Sequence, residues 1–331
     1  MATRNRDQRK PQHRARDTFP EIEDWELVDE LGRGRWLVAY RARPRHLAFD
    51  CPADYVVKVP VDEADPELVT RMMSQEATVS RQVAHPNVQT VLAAHLEVSP
   101  NYLVLPYFPG GTWEQVGAAP QWRLLPRCLW IFRQLAEGLQ ALHQAGWIHG
   151  DVTPGNVYVA ASGHTTLIDL GMSSRRASSG SDLQGAFRGT LHYAAPESLV
   201  AARPNDPRSD IYGLGVLLFQ TLSGRLPFLF SDPAQVARAH RCTSPPSLRH
   251  LIPQLPVRLA RLVERMLAKE PFRRPVAGEL VGCLFDLEVA TFSETLCPVA
   301  SVEPGCLNPR DVAWAARRGT PKQCHGFSQH R

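Results

Sequence analysis

His149-Gly-Asp-Val-Thr-Pro-Gly-Asn156, followed eighteen residues after Asp151 by Asp169-Leu-Gly171, is the stretch whose reading decides the fold. Between Asn156 and Asp169 lie two short runs of strand character, Val157-Tyr158-Val159 and Thr165 to Ile168, on either side of the turn signal Ser162-Gly163. That pattern predicts a β-hairpin. Its turn sits midway between Asn156 and Asp169, so folding the hairpin brings those two residues together at the open end. An amide oxygen beside a carboxylate suits Mg²⁺, which takes hard oxygen ligands and keeps waters and phosphate oxygens for the rest. Asp151, just upstream, faces the same spot as a base for an attacking hydroxyl. The layout is one for phosphoryl transfer.

Working outward, Trp25 to Arg41 reads as strand, glycine turn, strand, with Gly32-Arg33-Gly34-Arg35-Trp36 at the bend. Glycines there let backbone N–H groups approach phosphate oxygens, although a plain hairpin turn has the same pattern. Arg33 and Arg35 either help hold phosphate or are simply solvated. Tyr55-Val-Val-Lys58-Val59 is a β-branched run carrying a lysine. Asp65-Pro66 then starts a helix, with an N-cap and a proline in the first turn. Leu68, Met72, Glu76, Val79 and Val83 fall on one face of that helix at spacings of three and four. Glu76 inside an apolar stripe needs a cation, because an unpaired buried carboxylate is costly. Lys58 is the candidate. Val91 to Val98 and Tyr102 to Phe108 read as two further strands, and residues 122–145 as a helix with Leu129, Phe132, Leu135, Leu139 and Leu142 on its core face. His149 reads as a packing residue behind Asp151.

With these residues in place the chain resembles the eukaryotic-like (Hanks-type) serine/threonine protein kinases of bacterial style, from about residue 25 to 290. Those kinases carry H-R-D-x-x-x-x-N and D-F-G, onto which Asp151, Asn156 and Asp169 fall. The resemblance extends to Gly189-Thr-Leu-His-Tyr-Ala-Ala-Pro-Glu197, similar to the family's G-T-x-x-Y-x-A-P-E. It also covers the buried helix from Ser209-Asp210-Ile-Tyr-Gly-Leu-Gly, and Arg274, which matches the arginine that pairs with the glutamate of A-P-E. It implies an α+β, two-lobed fold with a small β-rich N-lobe (about 25–107) and a larger, mainly helical C-lobe (about 108–290). It implies ATP and Mg²⁺ as cofactors and a protein substrate with a Ser/Thr acceptor. Asp151 is then the catalytic base, with Asn156 and Asp169 on the metal. Lys58, braced by Glu76, takes the α/β-phosphates, with Glu76 nine residues before His85-Pro-Asn-Val88 as in the family. Leu31, Gly32, Arg33, Gly34 and Ala39 cover the nucleotide. In the hinge-like Asn101-Tyr-Leu-Val-Leu-Pro-Tyr-Phe-Pro-Gly-Gly111 the gatekeeper falls at Leu105. The Pro106 carbonyl and the Phe108 backbone N–H there meet the adenine.

Composition bounds the rest. The chain has 331 residues, 44% hydrophobic and 21% charged, an ordinary globular balance. Net charge is +4, but six Lys/Arg against two Asp sit in the first twenty residues, which leaves 31 against 31 elsewhere. Residues 1–24 are therefore expected to be a basic disordered tail, with no nucleic-acid partner implied. Seven scattered cysteines without a C-x-x-C pair fit reduced thiols in a cytoplasmic setting rather than a disulfide framework or zinc site. No apolar run is long enough for a membrane helix, and no membrane partner is expected. Many receptor kinases of the family carry a membrane helix and an outer sensor domain, and the expectation is that this chain has room for neither. Residues 291–331 carry no readable motif, and nothing indicates an oligomeric state.

The departures from the family pattern open two alternatives. Thr153 stands where a lysine meets the γ-phosphate, and losing such a group costs on the order of 10²-fold in rate. Leu37 replaces the third loop glycine and Ala39 the loop valine, while Leu170 replaces the D-F-G phenylalanine. Val56 and Tyr158 are larger than the residues that usually line the adenine slot. These changes point to a pseudokinase scaffold. Gly150 in place of the arginine is also how small-molecule kinases of the aminoglycoside and choline type write this loop, although they lack the A-P-E segment. Without that arginine, phosphate at Ser178 or Ser179 has less to grip, with Arg175, Arg176 and Arg188 as partial substitutes. Activity is therefore expected not to depend on phosphorylation of this segment.

Overall fold

The alternation of β-branched and aromatic residues with polar ones draws the N-terminal stretch into strands, and the 3.6-residue stripes further on draw the rest into helices. The structure, a computed structural model, describes residues 19–46, 52–176, 190–200 and 206–296. Most of the expected basic tail, Ser178, Ser179, Ser181, Arg188 and Gly189, and the chain from residue 297 lie outside the described residues. The chain divides into two compact units, residues 1–289 and 290–331. The sheet, the helical core and the candidate site all belong to the first.

Five antiparallel strands form the N-terminal sheet in the order β1-β2-β3-β5-β4. They are β1 (Trp25–Arg33), β2 (Leu37–Pro44), β3 (Tyr55–Pro60), β4 (Ala93–His95) and β5 (Tyr102–Pro106). Strand period two sorts their side chains between two clusters. Val57, Val59, Tyr102 and Val104 pack with Ile22, Val38, Tyr40 and Ala42 on one face. Leu103 and Leu105 pack on the other against Val69, Met73 and Ala77 of helix α1 (Pro66–Gln82). Lys58, between Val57 and Val59, therefore points to the α1 face. Asp65 caps α1, its side chain accepting from the N–H groups of Glu67 and Leu68, with Pro66 in the first turn. The buried stripe is turned slightly from the one expected: Val69 and Met73 are buried while Leu68 is only half-buried. Burying two such side chains stabilises by roughly 1.5–3 kcal/mol each.

Three expected boundaries differ. The strand expected over 91–98 is only β4, an exposed three-residue edge, as suits an edge with nothing to cover it. β1 runs on through Gly32 and Arg33 by way of two β-bulges, so the glycine bend shrinks to residues 34–36. The helix expected over 122–145 is broken: after α2 (Trp113–Val116) come a single turn α3 (Pro120–Arg123) and then α4 (Leu125–Gln144). Leu124 is extended as the N-cap of α4, and Pro126 in the first turn has no N–H to lose there. Leu129, Phe132, Leu135, Leu139 and Leu142 of α4 are all fully buried, as expected.

Beyond α4 the chain forms β7 (Trp147–Ile148), the hairpin β8 (Val157–Ala160) and β9 (Thr165–Leu167), and β10 (Ser174–Arg175). β8 also pairs with β6 (Gly110–Thr112), and β10 with β7. The remainder is helical: α5 (Arg208–Ser223), α6 (Pro233–Cys242), α7 (Leu248–Leu251), α8 (Val257–Met266) and α9 (Ala277–Leu296). Helix α5 is buried on every side from Asp210 to Phe219 and forms the axis of the large C-terminal core. The architecture is thus α+β, a five-stranded antiparallel sheet followed by a mainly helical region. Among the described residues no helix is long and apolar enough to cross a membrane, and Cys128, Cys242 and Cys283 are free.

Candidate active site

The hairpin register places the two expected metal residues. Val157 pairs with Leu167, and one step outward the Ile168 N–H donates to the Asn156 carbonyl at 2.9 Å, so Asn156 and Asp169 meet at the open end. Asn156 Nδ2 donates to Asp151 Oδ2 (2.8 Å) and to the Asp151 carbonyl (2.9 Å). Its oxygen is left as the acceptor. Asp169 Oδ1 is buried and has no hydrogen-bond partner. Asp169 is also the one non-glycine described residue with positive φ, at 63°, a conformation costing about 1–3 kcal/mol that surrounding contacts must hold. An orphaned carboxylate oxygen beside an amide oxygen fits Mg²⁺, which takes one or two carboxylates and completes its shell from water and phosphate. Among the described residues no group of three or more His, Cys, Asp or Glu is placed to hold a metal by itself.

Asp151 is positioned by three segments. Its Oδ1 accepts the Thr190 N–H at 3.1 Å, and its own N–H meets His149 Nδ1 at 3.3 Å. Burial pushes its carboxyl above the ordinary aspartate range and Asp169 adds to this, against the Thr190 N–H, His149 and Asn156. A raised pKa suits a group that must take up a proton. Behind it, Asp210 of α5 accepts the His149 N–H (2.9 Å), the Gly150 N–H (2.9 Å) and His143 Nε2 (2.8 Å). Although burial works to raise the Asp210 pKa, His143 leads the groups that hold it below the usual range. Gly150 sits at φ 83°, where a Cβ would come within 2.9 Å of the Met172 carbonyl. Glycine in place of a larger residue thus leaves this turn unstrained. His149 is fully buried, its Nε2 against the Ile168 carbonyl, the packing role expected of it.

Lys58 and Glu76 meet as expected, Nζ to Oε1 at 2.6 Å, with the Glu76 carboxylate entirely buried. Burial by itself would lower the Lys58 pKa, but the Glu76 and Asp169 carboxylates outweigh it and keep the ammonium charged. Ala39 lies opposite Lys58 in the β2–β3 register. Gly32 and Arg33 lie at the end of β1, and the Gly34 N–H closes the bend onto the Leu37 carbonyl at 2.8 Å. The Arg33 guanidinium pairs with Glu30 on the exposed strand, at 2.8 Å. Arg35 lies over the Trp36 ring.

At the hinge, Pro106 ends β5 opposite Tyr55, and Phe108 is exposed in the following loop. The Tyr158 hydroxyl reaches across from β8 and donates to the Phe108 carbonyl at 2.6 Å. Burial, with Tyr107 nearby, pushes the Tyr158 pKa up to about 12, so it stays a donor. Thr153 is buried beside the loop. Arg175 packs beside β7 from its place in β10. Its guanidinium lies 4.1 Å over Trp147 and bonds Gln82 and the Ala145 carbonyl. Arg274 is fully buried and bidentate on Glu197, at 2.6 and 2.8 Å.

Two residues of the site have no sequence signal. Gln89 donates to Glu76 Oε1 and accepts the Asp169 N–H, and Gln75 donates to the Ser173 carbonyl at 3.1 Å. The Gln89–Asp169 and Gln75–Ser173 contacts depend on the meeting of segments 80 and 98 residues apart.

Residues 25–285 match the family model described as protein kinase domain. The serine/threonine-protein kinase PknK of Mycobacterium tuberculosis is 30% identical over 283 residues, 82% of this chain and 25% of that protein. Serine/threonine-protein kinase pkn2 of Myxococcus xanthus is 36% identical over 223 residues, 63% of this chain and 26% of its own length. For PrkC of Bacillus subtilis the figures are 27% over 237 residues, 71% and 36%. The chain therefore spans a quarter to under two fifths of the length of these relatives.

Proposed function

The chain belongs to the protein kinase domain family, and from that premise we propose that it transfers the γ-phosphoryl group of ATP to a Ser or Thr hydroxyl of a protein substrate. The kinase domain would cover residues 25–290, with lobes meeting near 107–108. The observation that carries the reading is the convergence of a buried Lys58–Glu76 pair, at 2.6 Å, with the unpartnered Asp169 Oδ1 and the Asp151 carboxylate. Lys58, kept charged by Glu76, binds the α/β-phosphates. Gly32 and Gly34 cover them, with Leu31 and Ala39 over the base and the Pro106 carbonyl and Phe108 N–H at its edge. Asn156 and Asp169 hold Mg²⁺, which supplies neutralisation of the charge on the phosphate oxygens. Asp151 orients the incoming hydroxyl and takes its proton, helped by its raised pKa.

Two observations favour a second reading, a scaffold that binds without turnover. The Tyr158 hydroxyl occupies the Phe108 carbonyl at the hinge, and Thr153 supplies no cation for the γ-phosphate. Radiolabel transfer from Mg·ATP to the protein and to a generic basic protein, beside Asp169→Asn, separates the two. Label on Ser or Thr that vanishes in Asp169→Asn supports the kinase. Absence of label with nucleotide still bound supports the scaffold.

A further inference from the structure

Gln89 is 6% exposed and lies between the two charged centres of the site. Its backbone is fixed against β9: the Gln89 N–H donates to the Leu167 carbonyl at 2.9 Å, and the Leu167 N–H donates to the Asn87 carbonyl at 2.9 Å. Val88 bridges Leu167 in parallel. The side chain then has one direction to go. Nε2 donates to Glu76 Oε1, the same oxygen that takes the Lys58 ammonium. Oε1 accepts the Asp169 N–H at 3.1 Å. The amide fits in one orientation, since reversing it would set oxygen against the Glu76 carboxylate and NH₂ against the Asp169 N–H. A continuous path thus runs from Lys58 through Glu76 and Gln89 to the backbone of Asp169, the one non-glycine described residue with positive φ. Gln75, bonded to the Ser173 carbonyl, ties α1 to the same segment four residues on.

We propose that Gln89 is a positioning residue that couples α1 to Asp169, so that the phosphate-binding pair and the metal-binding carboxylate are set as one unit. The proposal rests on the kinase reading of the site. Lys58 and Glu76 answer to the nucleotide, whereas Asp169 answers to the metal. Losing Gln89 therefore weakens what Mg²⁺ adds to ATP binding more than it weakens ATP binding itself.

The test compares Gln89→Met, which keeps length and packing but no hydrogen bonds, with Gln89→Glu, whose buried carboxyl, protonated against Glu76, keeps a donor for Glu76 Oε1 and an acceptor for the Asp169 N–H. Two measurements are made on the full chain. One is amide exchange in peptides covering 165–172 without ligand, and the other is calorimetric binding of ATP with and without MgCl₂. Exchange at Asp169 about tenfold faster in Gln89→Met, but near wild type in Gln89→Glu, supports the coupling. So does a roughly tenfold smaller gain in ATP affinity on adding MgCl₂ to Gln89→Met, with metal-free binding within about threefold of wild type. Faster exchange with an undiminished MgCl₂ gain marks a merely structural side chain and overturns the proposal, as does unchanged exchange. Should the wild type bind no ATP at all, the kinase reading falls. Exchange then decides the Gln89 link alone: faster exchange in the Met variant supports it, and equal exchange overturns it.

Discussion

Replacing Arg274 by Met removes a cation that is fully buried and uses all five of its N–H donors. Two go to Glu197, Nη1 to Oε1 at 2.6 Å and Nη2 to Oε2 at 2.8 Å. The other three go to backbone carbonyls: Ala268 at 2.8 Å, Arg208 at 2.9 Å and Lys269 at 3.0 Å. The guanidinium also lies 4.9 Å over the Tyr212 ring. Met keeps most of the stem volume, so the loss is electrostatic. Glu197 Oε1 retains the Ser209 hydroxyl at 2.7 Å, but the carboxylate remains buried without its counter-charge. Removing one member of a buried pair costs about 3–5 kcal/mol. At about 2–4 °C per kcal/mol for a domain of this size, Tm falls by roughly 6–20 °C. Thermal and urea unfolding by circular dichroism measure this. The double variant Arg274→Met with Glu197→Leu should recover a large part, because replacing both members with apolar groups is often near neutral. A fall under about 2 °C in the single variant, or no recovery in the double, would refute the view that the pair locks Glu197 and Arg208 to the 268–274 turn.

The hinge and the helical core each carry a further expected outcome. Tyr158→Leu frees the Phe108 carbonyl and opens the side of the hinge that the phenol now covers. Because the slot beside the Pro106 carbonyl and the Phe108 N–H widens, ATP affinity should rise by about tenfold, and calorimetry giving an unchanged or weaker affinity would show that the tyrosine does not obstruct the base. His240 is buried with Tyr212 Oη 2.9 Å from its Nδ1. Burial first, then the charges of Lys269 and His192, hold its pKa down at about 4 against the ordinary 6.5. The unfolded chain therefore binds the extra proton first. This contribution to stability is complete above pH 6.5 and declines as pH falls from there towards 4. By pH 5 it amounts to a loss of about 2 kcal/mol. Urea unfolding between pH 7 and 5 should show that slope, and His240→Gln should flatten it; equal slopes in the two proteins would exclude the histidine as the source.

Much of the site was legible because its residues are near neighbours along the chain or lie on regular elements. The eighteen-residue spacing from Asp151 to Asp169 contains one hairpin, and strand period two then dictates that Asn156 and Asp169 share its open end. Lys58 points to α1 because the residues flanking it are apolar, and Glu76 sits at a helical spacing among core residues. A charge in such a stripe demands a partner wherever the rest of the chain goes. Helix periodicity also determined the α4 core face, and the resemblance of Ser209-Asp210-Ile-Tyr-Gly-Leu-Gly to the kinase family marked the buried α5.

What only the tertiary structure decided is how separate segments share polar groups. Gln89 reaches Asp169 across 80 residues and Tyr158 reaches Phe108 across 50. Asp210 finds the backbone of His149 and Gly150 from 60 residues away. Arg33 pairs with Glu30, and Arg175 lies over Trp147 from 28 residues away. Periodicity reports which face of an element is buried, because burial depends on local alternation. It does not report which donor meets which acceptor, because that depends on how elements far apart in the chain pack together.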